Sequence, residues 1–198
     1  MERAIVARHA ESTFSVQRLV SGEPDACGGL TEEGRAQARE LGVALAAEPV
    51  ELAVTSAFRR TVETAELALG GRDVPRLVVP ELNDIRVGRF EGHPLDRYRE
   101  WAWAHGPEEA APGGGESRAE AAARFARGFG VVLARPERTI LVVAHALPIR
   151  YVLDAAAGRD PGSRAGPVGY ATAETMERDE LEAAVARLWR WSAAPAFA

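Results

Sequence analysis

Short runs of apolar residues alternate along the chain with longer segments in which apolar positions recur at helical spacing. Each short run leads into polar or turn-forming residues, which is typical of buried strands in an α/β protein. The pattern therefore predicts a sheet with helices on both of its faces. The predicted strands are Ala4 to Ala7, Leu52 to Thr55, Arg76 to Val79 and Thr139 to Ala144.

Residues that start and stop helices divide the segments between these strands. Thr31, followed by Glu32 and Glu33, is typical of a helix N-cap, and Ser117 with Glu120 forms a capping-box pattern. The predicted helices run from Thr31 towards Ala47, from Ser56 to Gly70 and Gly71, from Ser117 through Phe125, Phe129 and Val132, from Pro148 to near Gly158, and, after a strand over Ala171 to Met176, from Glu180 to Arg190.

The length and composition of the chain suit one globular domain with a substantial core. The chain has 198 residues, of which 46% are hydrophobic. The regular pattern breaks over residues 92–115, where Tyr98, Trp101 and Trp103 lie among charges, so we expect an irregular, lid-like insertion in which these aromatic residues mainly pack. We predict a single-domain three-layer α/β/α sandwich over residues 1–198, with a mostly parallel central sheet.

Charge and cysteine content narrow the class of protein. The formal net charge of −5 argues against a nucleic-acid-binding protein. No apolar run reaches the roughly 20 residues of a membrane span, and the N-terminus has no signal-peptide pattern, so we expect a cytoplasmic enzyme with no membrane partner. Cys27 is the only cysteine, which excludes an intrachain disulfide, and we expect no functional role for it.

Unusual polar residues follow the ends of the predicted strands. The first strand leads into Arg8 and His9, the second into the segment with Arg60, the third into the segment with Asp84, and the fourth into His145. In open α/β sheets, ligands bind beyond the carboxyl ends of the strands, so we expect these side chains to converge on one pocket although they are far apart in sequence.

Two imidazoles, two guanidinium groups and a carboxyl group suit phosphoryl chemistry. Arginine donates paired hydrogen bonds to phosphate oxygens, an imidazole can act as a nucleophile, and a carboxylic acid can protonate a leaving oxygen. The histidines do not have the spacing of a metal site, and neighbouring arginines would repel a cation, so we predict no metal. Taken singly, each of these residues also has an ordinary structural explanation.

Ordered motifs give the chain a resemblance to a known family. The segments "ARHAES", "LTEEGRAQARELG", "TSAFRRTVETAELA", "LNDIRVGRFEG", "PGGGES" and "VVAHALPIR" resemble, in this order, motifs of the histidine phosphatase superfamily, also called the cofactor-dependent phosphoglycerate mutase-like family. The resemblance covers roughly residues 3 to 155. It implies that His9 is a nucleophile that becomes phosphorylated, and that Arg8, Arg60 and His145 surround the phosphoryl oxygens.

The resemblance leaves the acid less certain than the nucleophile. Asp84 stands where family members usually carry the Glu that serves as general acid and base, and it is shorter by one methylene group. Glu81 and Glu91 are the alternative acids. Ser15 stands where some relatives place an Asn that contacts phosphate, and the amides near Leu147 at the start of a helix can also face the anion.

The family resemblance implies a phosphomonoester hydrolase that acts through a phosphohistidine intermediate, with a small phosphorylated substrate and without a cofactor. Two alternatives stay open. One is a phosphoglycerate mutase-type phosphoryl transferase, which must retain and return the phosphoryl group. The other is a phosphoester-binding homologue without catalysis. Neither the oligomeric state nor the identity of the substrate can be predicted from the sequence.

Overall fold

A computed structural model describes residues 1–26 and 28–197, so Cys27 and the expectation about it lie outside the described residues. Within these ranges there are five strands and seven α-helices. The strands are β1 (Arg3–Arg8), β2 (Leu52–Thr55), β3 (Arg76–Val78), β4 (Thr139–Ala144) and β5 (Ala173–Glu177). The helices are α1 (Thr13–Val16), α2 (Glu32–Ala44), α3 (Arg59–Leu69), α4 (Leu95–Ala104), α5 (Arg118–Leu133), α6 (Ala146–Ala156) and α7 (Arg178–Ala193).

The strands form one sheet in the order β3-β2-β4-β1-β5. All neighbouring strands are parallel except β5, which runs antiparallel to β1 at one edge. The central strands β2 and β4 are buried along their whole length because helices cover both faces, whereas the edge strands β3 and β5 are largely exposed. The predicted fold class, α/β with a mostly parallel sheet, is confirmed.

Alternate residues of the strands pack into two separate cores, which defines the three layers. On one face, Val6, Val54 and Val142 pack with residues of α5, α6 and α7. On the other face, the alternating residues of the same strands, among them Ile5 and Leu141, pack with α2 and α3. The side-chain period of two along each strand thus divides the sheet between its two helical layers.

Most element boundaries lie within three residues of their predicted positions. The strands β2 and β4 match, α3 ends at Gly70 in a left-handed conformation, and the capping box of Ser117 and Glu120 is present. The start predicted for α6 is wrong: the helix begins at Ala146, so Pro148 is its third residue, where its missing N–H still costs no intrahelical hydrogen bond. Compared with the predicted ranges, α2 and β3 are shorter, β1 and α7 are longer, and β5 lies slightly later in the chain.

The prediction that residues 92–115 are irregular is wrong for ten of them. Helix α4 occupies Leu95–Ala104 and buries Tyr98 and Ala102, which lie one turn apart on one face. The charged residues between these two positions obscure the helical stripe in the sequence. Trp101 packs as expected, against the rings of Phe90 and His105. Whether the segment acts as a lid stays a prediction.

Candidate active site

The carboxyl ends of three neighbouring strands meet at one pocket. His9 follows β1, Ser56 follows β2 and His145 follows β4. Because β1 and β4 pair in parallel with Arg8 opposite Ala144, the two histidines leave the sheet side by side, and their ring centroids are 5.3 Å apart. The pocket has a volume of about 390 Å³.

The five predicted catalytic residues all lie at this pocket. Four of them line it, and His145 is fully buried in contact with His9 and Arg60. The predicted phosphate-binding residues Ser15 and Leu147 also line it. The hydroxyl of Ser15 lies 2.8 Å from that of Ser12, and Leu147 is in the first turn of α6, whose amides have no partner within the helix.

The backbone fixes the tautomer of His9. Its Nδ1 lies 2.7 Å from the carbonyl oxygen of Ala10, and a carbonyl can only accept, so Nδ1 carries the proton and Nε2 keeps a free lone pair. The amide of Ala10 donates to Thr64 Oγ1 at 3.0 Å, which anchors this peptide. Burial and the charges of Arg60 and Arg8 lower the pKa of His9 well below its usual value, so the ring is neutral at pH 7.

His145 has the opposite tautomer. The Nη2 of Arg60, which can only donate, lies 3.1 Å from its Nδ1, so Nδ1 accepts and Nε2 donates to Ser56 Oγ at 2.8 Å. Ser56 Oγ in turn lies 2.9 Å from the hydroxyl of Thr61. Burial, the Arg60 charge and the neighbouring His9 lower the pKa of His145 well below its usual value. The second imidazole is therefore also neutral in the free protein.

Arg60 is buried although its neighbour on α3 is exposed. Arg59 pairs with Glu63 at the surface at 2.7 Å, whereas Arg60 points about 100° away around the helix into the pocket. The guanidinium of Arg60 donates to the hydroxyl and carbonyl oxygens of Ser21 at 3.3 and 3.2 Å, and it lies 4.2 Å from the ring centroid of Phe58. These contacts hold the cation beside both imidazoles.

Arg8 brings a second cation from the end of β1. Its Nη1 donates to the carbonyl of Val168 at 2.9 Å, and its guanidinium lies 3.9 Å from the ring centroid of Tyr170. Val168 and Tyr170 precede β5 and line the pocket, and the sequence analysis did not identify either of them. The segment that leads into the antiparallel edge strand thus supplies part of the wall that holds Arg8 in place.

Asp84 places a carboxyl group beside His145 and Arg60. Its Oδ2 lies 3.8 Å from Nδ1 of His145 and 3.9 Å from Nη2 of Arg60. The side chain is 26% exposed and borders both this pocket and a neighbouring cleft. Burial raises the pKa of Asp84, while Arg60 opposes that rise. Neither alternative acid lines this pocket: Glu81 lines an adjoining cleft that Asp84 also borders, and Glu91 accepts from the amide of Gly22 at 2.8 Å.

A buried ion pair that the sequence analysis missed holds the Asp84 segment. Arg124 on α5 donates to the carbonyl oxygens of Glu81, Asn83 and Asp84 at 2.9, 2.8 and 3.0 Å. Its charge is paired with Glu116, which is 3% exposed and lies 2.7 Å away. One feature of the sequence could have indicated this pair. Glu116 in "GGGES" comes immediately before the capping box, about two helical turns before Arg124. The ion pair therefore holds the backbone of the segment that carries Asp84.

Two aromatic residues of α4 line the pocket, which the sequence analysis did not favour. Tyr98 and Trp103 both contribute to its wall, together with Arg118 from the start of α5. The pocket therefore combines a cationic floor with apolar and aromatic sides.

Comparison with known proteins identifies the family. A sequence model of the histidine phosphatase superfamily matches residues 4–190, and the chain belongs to this superfamily. The matching model is that of branch 1 of the superfamily. The resemblance inferred from the ordered motifs is thereby confirmed.

The relatives include both phosphatases and mutases. The adenosylcobalamin/alpha-ribazole phosphatase of Salmonella typhimurium is 36% identical over 120 residues, which span 58% of this chain and 58% of that relative. A 2,3-bisphosphoglycerate-dependent phosphoglycerate mutase of Gloeobacter violaceus is 32% identical over 169 residues, which span 77% of this chain and 74% of the mutase. The solved structure of Bacillus stearothermophilus YhfR superimposes with a TM-score of 0.78 at 29% identity, covering 88% of this chain and 90% of that one.

Two features are absent from the described residues. No helix among them is long and apolar enough to cross a membrane. No group of three or more His, Cys, Asp or Glu side chains in residues 1–26 and 28–197 is arranged to hold a metal ion.

The opposite tautomers of the two histidines are directly testable. We expect ¹⁵N chemical shifts at pH 7 to show His9 protonated at Nδ1 and His145 at Nε2, because their partners are a carbonyl and a guanidinium. Both rings should stay neutral as the pH falls to 6, since both pKa values lie well below 6.5. His9→Gln and His145→Gln assign the signals. Titration of either ring near pH 6.5, or the same tautomer in both, would contradict the site described above.

Proposed function

We propose that this protein hydrolyses phosphomonoesters through a phosphohistidine intermediate on His9, without a metal ion. The observation that supports this most strongly is the neutral His9 with its Nδ1 proton bound to the Ala10 carbonyl. That hydrogen bond directs the Nε2 lone pair away from the backbone, and His9 lines the pocket. A neutral imidazole with a free nitrogen is a competent nucleophile at pH 7.

In the first step, the Nε2 of His9 forms a bond to phosphorus while the bond from phosphorus to the ester oxygen breaks. Asp84, whose pKa is raised by burial, gives its proton to the departing oxygen. Arg8 and Arg60 donate to the non-bridging oxygens and stabilise the charge that spreads over them in the transition state. The alcohol leaves, and the phosphoryl group stays on His9.

In the second step, the carboxylate of Asp84 removes a proton from a water molecule, and the resulting oxygen attacks phosphorus. The bond from Nε2 to phosphorus breaks, its electron pair returns to the imidazole, and inorganic phosphate leaves. Asp84 ends the cycle protonated, as it began. The same carboxyl group therefore serves first as acid and then as base.

The position of Arg60 also supports a reaction without a metal ion. Its guanidinium lies 3.1 Å from Nδ1 of His145 and 3.9 Å from the carboxylate of Asp84, so a cation already lies beside both potential metal ligands. A divalent ion placed there would meet strong repulsion.

The relatives include both phosphatases and mutases, so a mutase is the second candidate. The phosphatase relative supports hydrolysis, while the similarity to a bisphosphoglycerate-dependent mutase covers more of the chain. A mutase has to exclude water from the phosphohistidine. The side chain of Asp84 is 26% exposed and borders two clefts, so water can reach the acid that would activate it, which favours hydrolysis.

Turnover with and without the nucleophile tests the proposal. We expect the wild type to hydrolyse phenyl phosphate in the presence of EDTA, and His9→Ala to lower kcat/KM at least about 1000-fold because the nucleophile is lost. His93→Ala is a matched control, since that histidine is exposed and lies outside the pocket, and it should retain activity. Loss of wild-type activity on chelation would contradict the metal-free mechanism. Phosphoglycerate interconversion that requires added bisphosphoglycerate would favour the mutase.

The pH dependence tests the role of Asp84. The pKa of His9 is lowered, so activity should rise with pH below pH 6.5 as the ring loses its proton. Activity should then fall at higher pH as the carboxyl group of Asp84, whose pKa is raised, loses the proton that it gives to the leaving group. We therefore expect a bell-shaped profile of kcat/KM. Asp84→Asn should lower kcat/KM about 10²- to 10⁴-fold and remove the alkaline limb.

Two further variants separate this role from a general effect of charge. Asp84→Glu restores the residue that the family usually carries and should retain the bell shape. Glu81→Gln removes a nearby carboxylate outside the pocket and should leave the profile unchanged. If Glu81→Gln abolished the alkaline limb and Asp84→Asn did not, Asp84 would not be the acid.

A further inference from the structure

Arg118 is a buried cation on the wall of the pocket with no acidic partner. It is the first residue of α5, is 9% exposed and lines the pocket. Its Nη1 donates to the hydroxyl of Tyr151 at 2.9 Å, and its buried Nε makes no hydrogen bond. Among the described residues, no carboxylate lies within 4.0 Å of its guanidinium.

The groups that surround Arg118 are neutral. The hydroxyl of Tyr98 lies near it, and burial raises the pKa of Tyr98 to about 12. Burial also raises the pKa of Tyr151. Both phenols therefore keep their protons at neutral pH and give Arg118 dipoles but no negative charge. The buried hydroxyl of Tyr98 interacts with Arg118, and no second partner for it lies in the part of the chain that the structure describes. Burying a charge without compensation is costly, so a compensating group is expected to come from outside the chain.

The other pocket arginines have partners or assigned roles. The lining contains one carboxylate, Asp84, and five arginines: Arg8, Arg18, Arg60, Arg99 and Arg118. Arg18 and Arg99 at the mouth share the carboxylate of Asp96, at 2.8 and 3.4 Å. Arg60 lies 3.9 Å from Asp84. Arg8 is assigned to the phosphoryl group, which leaves Arg118 as a second, separate anion-binding position in the same pocket.

We infer that Arg118 and the hydroxyl of Tyr98 form a second anion subsite, and that the preferred substrates are phosphomonoesters that carry a second acidic group, such as a carboxylate. A guanidinium with unfilled hydrogen-bonding capacity matches the paired oxygens of a carboxylate. The apolar side chains of Phe14, Leu95 and Trp103 line the same pocket and suit an organic linker between the two acidic groups. The inference rests on the proposed function for the position of the phosphoryl group.

Binding of non-hydrolysable phosphonates tests the subsite independently of turnover. The ligands are benzylphosphonate and its ortho-, meta- and para-carboxylated derivatives, whose dissociation constants are measured by calorimetry at pH 7. We expect the wild type to bind at least one carboxylated isomer about 10- to 100-fold more tightly than benzylphosphonate, the range expected for charge-assisted hydrogen bonds. Arg118→Met should bring this ratio close to one, because the cation is lost.

Three further variants control the experiment. Arg190→Met removes one positive charge from an exposed position on α7, so it should keep the wild-type ratio. Arg118→Lys keeps a cation and should keep part of the preference even if Arg118→Met is unstable. Tyr98→Phe should lower the ratio by removing one hydroxyl donor. Thermal unfolding of each variant establishes that it is folded before binding is measured.

The outcomes separate this inference from the proposed function. If no carboxylated isomer binds more tightly than benzylphosphonate, or if Arg118→Met keeps the preference, the subsite does not exist. If phenyl phosphate is not hydrolysed but the phosphonate ratio depends on Arg118, the proposed reaction is wrong and the subsite stands. If His9-dependent hydrolysis occurs but no carboxylated phosphonate binds more tightly than benzylphosphonate, the reaction stands and the subsite is wrong.

Discussion

The buried guanidinium of Arg60 is the charge on which the rest of the site depends. It lies 3.1 Å from Nδ1 of His145 and 3.9 Å from Asp84, and it lowers the pKa of both histidines. A buried cation would ordinarily be costly, and the oxygen atoms of Ser21 and the ring of Phe58 stabilise it. Burial and the charge of Arg60 together keep both imidazoles neutral, as the proposed nucleophilic role of His9 requires.

The parallel sheet makes this arrangement possible. Because β1 and β4 are neighbours and run in the same direction, each can end in a histidine at the same edge, 136 residues apart in sequence. Short turns carry Ser56 and α3 from the adjacent strand β2 to the same place. Asp84, by contrast, comes from an irregular segment after β3 whose backbone is held by Arg124 and Glu116. The proposed nucleophile is thus held by regular structure and the proposed acid by a buried ion pair.

The sequence predicts well the local structure and the polar residues that follow the carboxyl ends of the strands, because both depend on short-range patterns. The central strands, the capping box at Ser117 and the convergence of His9 with His145 are examples. It predicts poorly what depends on long-range contacts. Nothing local distinguishes buried Arg118 from the exposed arginines of the chain, since all 24 basic residues are arginine. Helix α4 escaped prediction for a related reason: its buried face consists of few residues, and charged neighbours mask their spacing.

The most direct test of the central claim is to trap the phosphorylated enzyme. The protein is mixed with a phenyl [³²P]phosphate substrate, quenched in alkali within milliseconds, and the label is located by peptide mapping and by ³¹P NMR. Because the Nδ1 proton of His9 is held by the Ala10 carbonyl, the account predicts one phosphoryl group on Nε2 of His9. A label on Nδ1, on His145 or on a carboxylate, or no label during active turnover, would contradict it.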